Sequence, residues 1–248
     1  KPFVTLIEDK VVDDDNKKYN QFIERYKNKE YYEHVSILIS EWANKGDFLD
    51  FLRRNYKKFD IIHWKVFFFQ ILSVLAIIQS KFPSFRHNDL KANNILIHKN
   101  ENNSNNNIIF RYTVANNIYI VPNIGYQIKL WDFDFACIPK IVDNDKVNAK
   151  WTSKINVIPS KNRYYDVHYF FNTLGRRGFF PELRKSKYIP KEVKEFVDRI
   201  VPKEYRKPCK GIIAERGRIL VDIEYTTPNK ILKNDSFFKD FRKKKKKK

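Results

Sequence analysis

An aspartate, a lysine and an asparagine occupy positions 89, 91 and 94 of the tract Phe85-Arg86-His87-Asn88-Asp89-Leu90-Lys91-Ala92-Asn93-Asn94-Ile95-Leu96-Ile97. The residue types suit phosphoryl transfer, a reaction catalysed by positioning and charge compensation with little covalent chemistry from the protein. Asp89 can accept a hydroxyl proton, Lys91 can neutralise a transferring phosphate, and Asn94 offers an amide oxygen to Mg²⁺. Magnesium is a hard cation that takes oxygen ligands and keeps several waters, so no cluster of His or Cys is needed to hold it. A second acidic tract follows in Gln127-Ile128-Lys129-Leu130-Trp131-Asp132-Phe133-Asp134, a short apolar strand running into a turn.

The first tract resembles the catalytic loop of the eukaryotic-type protein kinases, His-Arg-Asp-Leu-Lys-x-x-Asn, with Asn88 in place of the usual arginine. The second resembles that family's Asp-Phe-Gly segment, with Asp134 in place of glycine. The resemblance implies Asp89 and Lys91 as catalytic residues, and Asn94 and Asp132 as the Mg²⁺ ligands beside ATP. His87 then has a supporting role, tying the loop to the backbone of the second tract. Residues 35–52 resemble the family's fifth strand, hinge and following helix. Ser40 falls at the gatekeeper position, the backbones of Glu41 and Ala43 face the adenine edge, and Asp47 reaches the ribose. Residues 164–174 resemble the buried helix whose aspartate, here Asp166, braces the catalytic loop, with His168 where tryptophan is usual. Residues 231–241 resemble the final helix of the fold.

Asp134 has two readings: an outer-shell or metal-readying carboxylate, or a turn residue that tolerates left-handed backbone where the family uses glycine. Between Asp134 and Asp166 no Ala-Pro-Glu is present. Asn88 replaces the arginine that grips a phosphate on this segment, so activity is expected not to depend on phosphorylation of Thr152 or Ser153.

The elements that must position these groups are legible in part. Residues 66–78 are almost wholly apolar but too short for a bilayer, which takes about 20 residues, so a buried helix is expected with Asp60 as N-cap and Pro83 beyond its end. Residues 1–9 match the entry to the family's fourth strand. No glycine precedes Gly46, and no lysine in a Val-Ala-Ile-Lys setting precedes the hinge. The expected fold is therefore α+β and protein-kinase-like, a mainly α-helical C-lobe with the last strands of a β-rich N-lobe. Its parts are an N-lobe remnant at 1–43 with a charged insertion at 11–32, a C-lobe at 44–241 with an insertion at 100–125, and a basic tail at 242–248. Phe22, Ile23 and Tyr26 have helical spacing in the first insertion. The second holds an Asn-rich tract at 101–107, then a hairpin of 108–114 and 118–121 around Asn116-Asn117.

Composition sets the outer bounds. A chain of 248 residues with 42% hydrophobic content can bury a sizeable core. Two cysteines make no disulfide framework, so an intracellular, reducing compartment is expected, with Cys137 a small core thiol. The vocabulary, heavy in Lys, Asn, Ile, Phe and Tyr, suits an AT-biased genome such as that of a large DNA virus or a protist. The net charge of +20, six of it from Lys243 to Lys248, suits acidic protein substrates and admits a nucleic acid or anionic surface as a lesser partner. Two other classes stay open: a choline- or aminoglycoside-kinase-like enzyme, against which Lys91 argues, and a pseudokinase or binding module. His34, His63 and His98 are read as surface or packing residues.

Overall fold

The computed structural model describes residues 17–30, 41–100, 109–157 and 161–243. Several expectations lie outside the described residues: the strands near 1–9 and 35–40, Ser40, His34, the Asn-rich tract and the end of the lysine run. The chain forms two compact units, Lys1–Glu41 and Trp42–Lys248. In the first, α1 (Lys17–Lys27) covers the charged insertion, with Tyr26 exposed and Arg25 paired to Glu30 at 2.9 Å.

The second unit is α+β. Helices α2 (Phe48–Asn55) and α3 (Ile61–Lys81) precede the loop that carries Asp89, Lys91 and Asn94; strand β1 (Ile95–Lys99) follows it. Then come β2 (Ile109–Val114), β3 (Asn117–Pro122), β4 (Tyr126–Leu130), α4 (Asp145–Asn148), α5 (Tyr165–Leu174), α6 (Glu182–Lys185), α7 (Lys191–Ile200) and α8 (Pro228–Asn234). The four strands make two antiparallel pairs, β1 with β4 and β2 with β3.

Helix α3 is the axis of the core. Asp60 Oδ1 accepts from the backbone N–H groups of Ile62 and His63 at 2.9 and 3.0 Å, which satisfies donors that have no partner within the helix. At 21 residues α3 is longer than the apolar run that marks it and is long and apolar enough to cross a membrane. Its apolar face is instead buried by protein: Phe67, Phe68 and Phe69 are fully enclosed, and Phe68 meets Phe171 edge-on at 5.0 Å. Beyond that contact, Phe196 stacks on Phe237 at 4.4 Å, joining α7 to the closing turn. Such rings bury large apolar areas and supply most of the driving force.

A buried polar residue within this apolar helix sets the position of β4. Gln70 Oε1 accepts from Ile128 N–H at 2.8 Å and its Nε2 donates to the Tyr126 carbonyl at 3.2 Å. The side chain therefore acts as a short surrogate strand, and β4 is held against both α3 and β1.

Three boundaries differ from the sequence expectation. The β2–β3 turn is Ala115-Asn116, both with positive φ (43° and 66°), one residue earlier than Asn116-Asn117, as a two-residue hairpin of this hand requires. The closing helix is interrupted: α8 stops at Asn234, and Asp235 turns extended and caps a new 3₁₀ turn, Ser236–Phe241, through Phe237 N–H. Arg242 and Lys243 belong to the folded body, since Lys243 N–H donates to the Ile118 carbonyl at 3.0 Å and the Arg242 guanidinium caps carbonyls of Leu232, Lys233 and Asp235.

Candidate active site

The loop between α3 and β1 is held at three places. Its entry pairs with the segment beyond β4, Arg86 and Cys137 exchanging backbone hydrogen bonds of 3.1 and 3.0 Å. Its middle rests on Asp166 at the start of α5, a fully buried carboxylate that accepts His87 N–H at 2.8 Å and Asn88 N–H at 2.9 Å. Its exit is the β1–β4 register, where Ile95 opposes Leu130 and Trp131 N–H donates to the Asn94 carbonyl at 3.0 Å. Asn88 is left-handed, with φ 64°, a conformation asparagine tolerates better than most residues. Its side chain donates to the Phe135 carbonyl at 2.9 Å, so the residue that replaces arginine ties the loop to the acidic turn.

Held this way, the loop gathers its polar side chains around one carboxylate. Lys91 Nζ donates to Asp89 Oδ2 at 2.8 Å. Asn94 Nδ2 donates to the same oxygen at 3.0 Å and to the Asp89 carbonyl at 2.9 Å, and the Asn94 amide oxygen has no hydrogen bond among the described residues. His87 Nε2–H donates to the Trp131 carbonyl at 2.9 Å, directly before Asp132. Asp132 and Asn94 thus stand at the same end of the β1–β4 pair. Asp132 is exposed, and its carboxylate has no hydrogen bond or ion pair among the described residues. No group of three or more His, Cys, Asp or Glu that could hold a metal occurs among the described residues. A carboxylate and an amide oxygen without partners among the described residues fit Mg²⁺ that takes its remaining ligands from phosphates and water.

Of the two readings of Asp134, the left-handed turn residue does not hold. Asp132 is the left-handed residue, φ 58° and ψ 65°, while Asp134 lies in the right-handed 3₁₀ turn Phe133–Phe135. Aspartate visits the left-handed region more readily than most residues, so the turn forms without glycine at 134. Both Asp134 oxygens accept from Lys146 Nζ at 2.5 Å, which ties the carboxylate to α4.

Asp47, expected to reach the ribose, is the N-cap of α2: its Oδ1 accepts from Asp50 N–H at 3.0 Å, leaving one carboxylate oxygen for a further donor. Ala43 is buried, whereas Glu41 is exposed and falls in the first unit. Burial pushes the Cys137 thiol up, in keeping with an inert core position; Cys209 is exposed. His63 bonds its own helix cap, Asp60, at 2.7 Å, and His98 the Trp42 carbonyl at 3.2 Å. Thr152 is buried, its hydroxyl donating to the Val147 and Ala149 carbonyls at 2.7 and 2.6 Å.

The structure adds one residue that sequence reasoning missed. Arg218 lies 129 positions beyond Asp89, is 7% exposed, and donates through Nη2 to Asp89 Oδ1. The marker beside it is Gly217, a turn residue with φ 88°, which says nothing about which part of the chain the turn meets. Asp89, Lys91 and Arg218 line a cleft of ≈ 950 Å³ together with Phe135, Trp151 and Tyr169.

His168, in the tryptophan-like position of α5, is fully buried with Nε2–H donating to the Tyr205 carbonyl at 2.8 Å. Burial pushes its pKa down from 6.5 to about 4. Between those values the unfolded chain binds the proton and the folded one does not, so the contribution to stability is complete above pH 6.5 and is lost as pH falls to 4. Denaturant midpoints measured across this window should fall with pH, by at most ~3 kcal/mol from this group at 1.36 kcal/mol per pKa unit. His168→Gln, which keeps the donor without the titration, should flatten that part of the profile.

Comparison with known proteins identifies the family. A family model described as poxvirus serine/threonine protein kinase matches residues 10–241. The chain is 51% identical over 231 residues to a protein of Acanthamoeba polyphaga mimivirus whose name provisionally assigns it to the serine/threonine-protein kinases; the match covers 93% of this chain and 49% of that protein. It is 30% identical over 184 residues to serine/threonine-protein kinase 2 of Monkeypox virus, covering 71% of this chain and 38% of the relative. The corresponding protein of Swinepox virus (strain Kasza) is 29% identical over 140 residues, covering 55% and 28%. The chain therefore spans about half the length of the mimivirus relative and less of the two poxvirus ones. Because the family match runs through α3, the loop, β4 and α5 to the closing turn, the chain belongs to the poxvirus serine/threonine protein kinase family.

Proposed function

We propose that this site carries out ATP- and Mg²⁺-dependent transfer of a phosphoryl group to serine or threonine hydroxyls of protein substrates. The observation that carries the reading is the convergence of Lys91 and Asn94 on the Asp89 carboxylate, within 3.0 Å, at the wall of an open cleft. Asp89 orients the incoming hydroxyl and takes its proton. Lys91, which uses one of its three donors on Asp89, has two left for the oxygens of the transferring group. Asn94 and Asp132 would hold the ion, whose chemistry there is neutralisation of phosphate charge. The net charge of +20 supports acidic substrates, through long-range attraction that raises their local concentration. The enclosed Thr152 hydroxyl and the Asn88–Phe135 bond support a loop ordered without phosphate on the following segment.

Asp132→Asn tests the metal half of this reading. Binding of a fluorescent ATP analogue, titrated at several Mg²⁺ concentrations, should weaken at least about tenfold in the variant, the scale expected when one charged ligand is lost. Equal binding with and without Mg²⁺ in both proteins would refute the proposed ion site. Phosphoamino-acid analysis of an acidic protein substrate, run beside choline and an aminoglycoside, decides the acceptor class.

A further inference from the structure

The catalytic carboxylate is held from both sides, and only one side comes from its own loop. An ionised carboxylate offers about four acceptor positions. Lys91 and Asn94 take two on Asp89 Oδ2, and Arg218 takes one on Oδ1. One position remains, on Oδ1, and the Asp89 side chain keeps 10% of its surface exposed beside the cleft it lines.

Arg218 is itself closely confined. Its Nη1 donates to the Asn88 carbonyl and, at 3.1 Å, to the Tyr165 hydroxyl, while its guanidinium lies over the Tyr169 ring at 4.1 Å. One planar group thus bonds the backbone and the side chain of two consecutive loop residues, a fork that a lysine ammonium does not reproduce.

The turn that delivers this side chain is braced with equal care. Gly217 N–H donates to the Ala214 carbonyl at 2.8 Å and Ala214 N–H to the Arg218 carbonyl at 2.9 Å. Asn172 of α5 donates to the Gly217 carbonyl at 2.9 Å. Arg176, just beyond α5, donates to the carbonyls of Glu215 and Arg206 at 2.8 and 2.7 Å. A Cβ at position 217 would stand 2.9 Å from the Arg176 guanidinium and push it from its place, and the φ of 88° would strain any other residue. Helix α5 therefore fixes the loop twice, through Asp166 beneath it and through Asn172, which steadies the turn bearing Arg218.

We propose that Arg218 is the positioning residue of the phosphotransfer site: its guanidinium locks the rotamer of Asp89 so that the single free acceptor on Oδ1 faces the substrate hydroxyl. The inference rests on the phosphotransfer reading. Arg218 acts through Asp89, not on the nucleotide, so its loss moves turnover and leaves nucleotide affinity in place. A misplacement of about 1 Å in a reacting group can cost on the order of 10² in rate.

The test uses the full chain with the variants R218M, R218K and D89N, measuring kcat, KM for ATP, ATP affinity and thermal midpoint. Expected for R218M is a kcat lowered ten- to a hundredfold with KM for ATP within about threefold, and partial recovery of kcat on adding guanidinium ion. R218K, which keeps the charge and reduces the risk of misfolding, should recover only part of the loss. D89N should lose roughly 10² to 10⁴ in kcat and be unresponsive to guanidinium. Wild-type kcat in a folded R218M or R218K overturns the inference and leaves the phosphotransfer reading standing. So does a parallel loss of ATP affinity and folding in both variants without rescue, which marks a purely structural residue. Full activity of D89N, or no transfer by the wild-type chain, overturns both.

Discussion

Asp89→Asn should lower turnover by roughly 10² to 10⁴, the usual worth of a positioned acid–base group, while ATP affinity stays within a fewfold of the parent. The substitution keeps the shape of the side chain and removes its charge. Asn94 Nδ2 also bonds the Asp89 main-chain carbonyl at 2.9 Å, and Asp132 lies across the β1–β4 pair, so each proposed ion ligand keeps a hold that does not need the Asp89 charge. Lys91 and Arg218, however, both point at this carboxylate, with side chains 23% and 8% exposed. Removing the anion between two cations leaves Arg218 buried beside a neutral amide, and the thermal midpoint should fall along with the rate. Steady-state kinetics, fluorescent-nucleotide titration and a melting curve on one preparation separate the outcomes. Unchanged turnover would remove Asp89 from the chemistry.

Asp166→Ala should be the most damaging substitution for stability. The carboxylate is fully buried and is the acceptor for two consecutive backbone N–H groups of the loop. Alanine leaves both donors buried and unpaired, at about 1–3 kcal/mol each, a total of about 2–6 kcal/mol in the denaturation midpoint. Released from α5, residues 87 and 88 lose the geometry that presents Asp89, so any variant that folds should also be slow. Asp166→Asn, which keeps an acceptor oxygen, should lose about half as much. A midpoint within about 0.5 kcal/mol of the parent in the alanine variant, the range of ordinary surface substitutions, would show that the loop holds itself.

The gap between Asp166 and Arg218 marks how far the chain could be read in one dimension. Asp166 was accessible because it sits in a helix with a recognisable pattern of neighbours. The Asp60 cap and helix α3 were accessible for the same reason: the cap bonds residues two and three positions on, and the apolar run is continuous. Asp134 was harder. Its charge stands where glycine is usual, which drew attention to the right turn but to the wrong residue, since the left-handed conformation belongs to Asp132 and Lys146 claims Asp134. The role of Gln70 is invisible in the sequence, because its partners in β4 are more than fifty residues away.

Within residues 85–97 the order of side chains already dictated the chemistry available, because a loop flanked by a helix and a strand has few ways to place groups two and five positions from Asp89. Chain folding decided the rest: that a guanidinium from position 218 meets that aspartate, that an amide in α3 holds β4, and that Asp132 and Asn94 stand at the same end of the β1–β4 pair. These are contacts between segments with no covalent reason to be neighbours. They are selected by the burial of the aromatic core and by the need to pair every polar group enclosed with it.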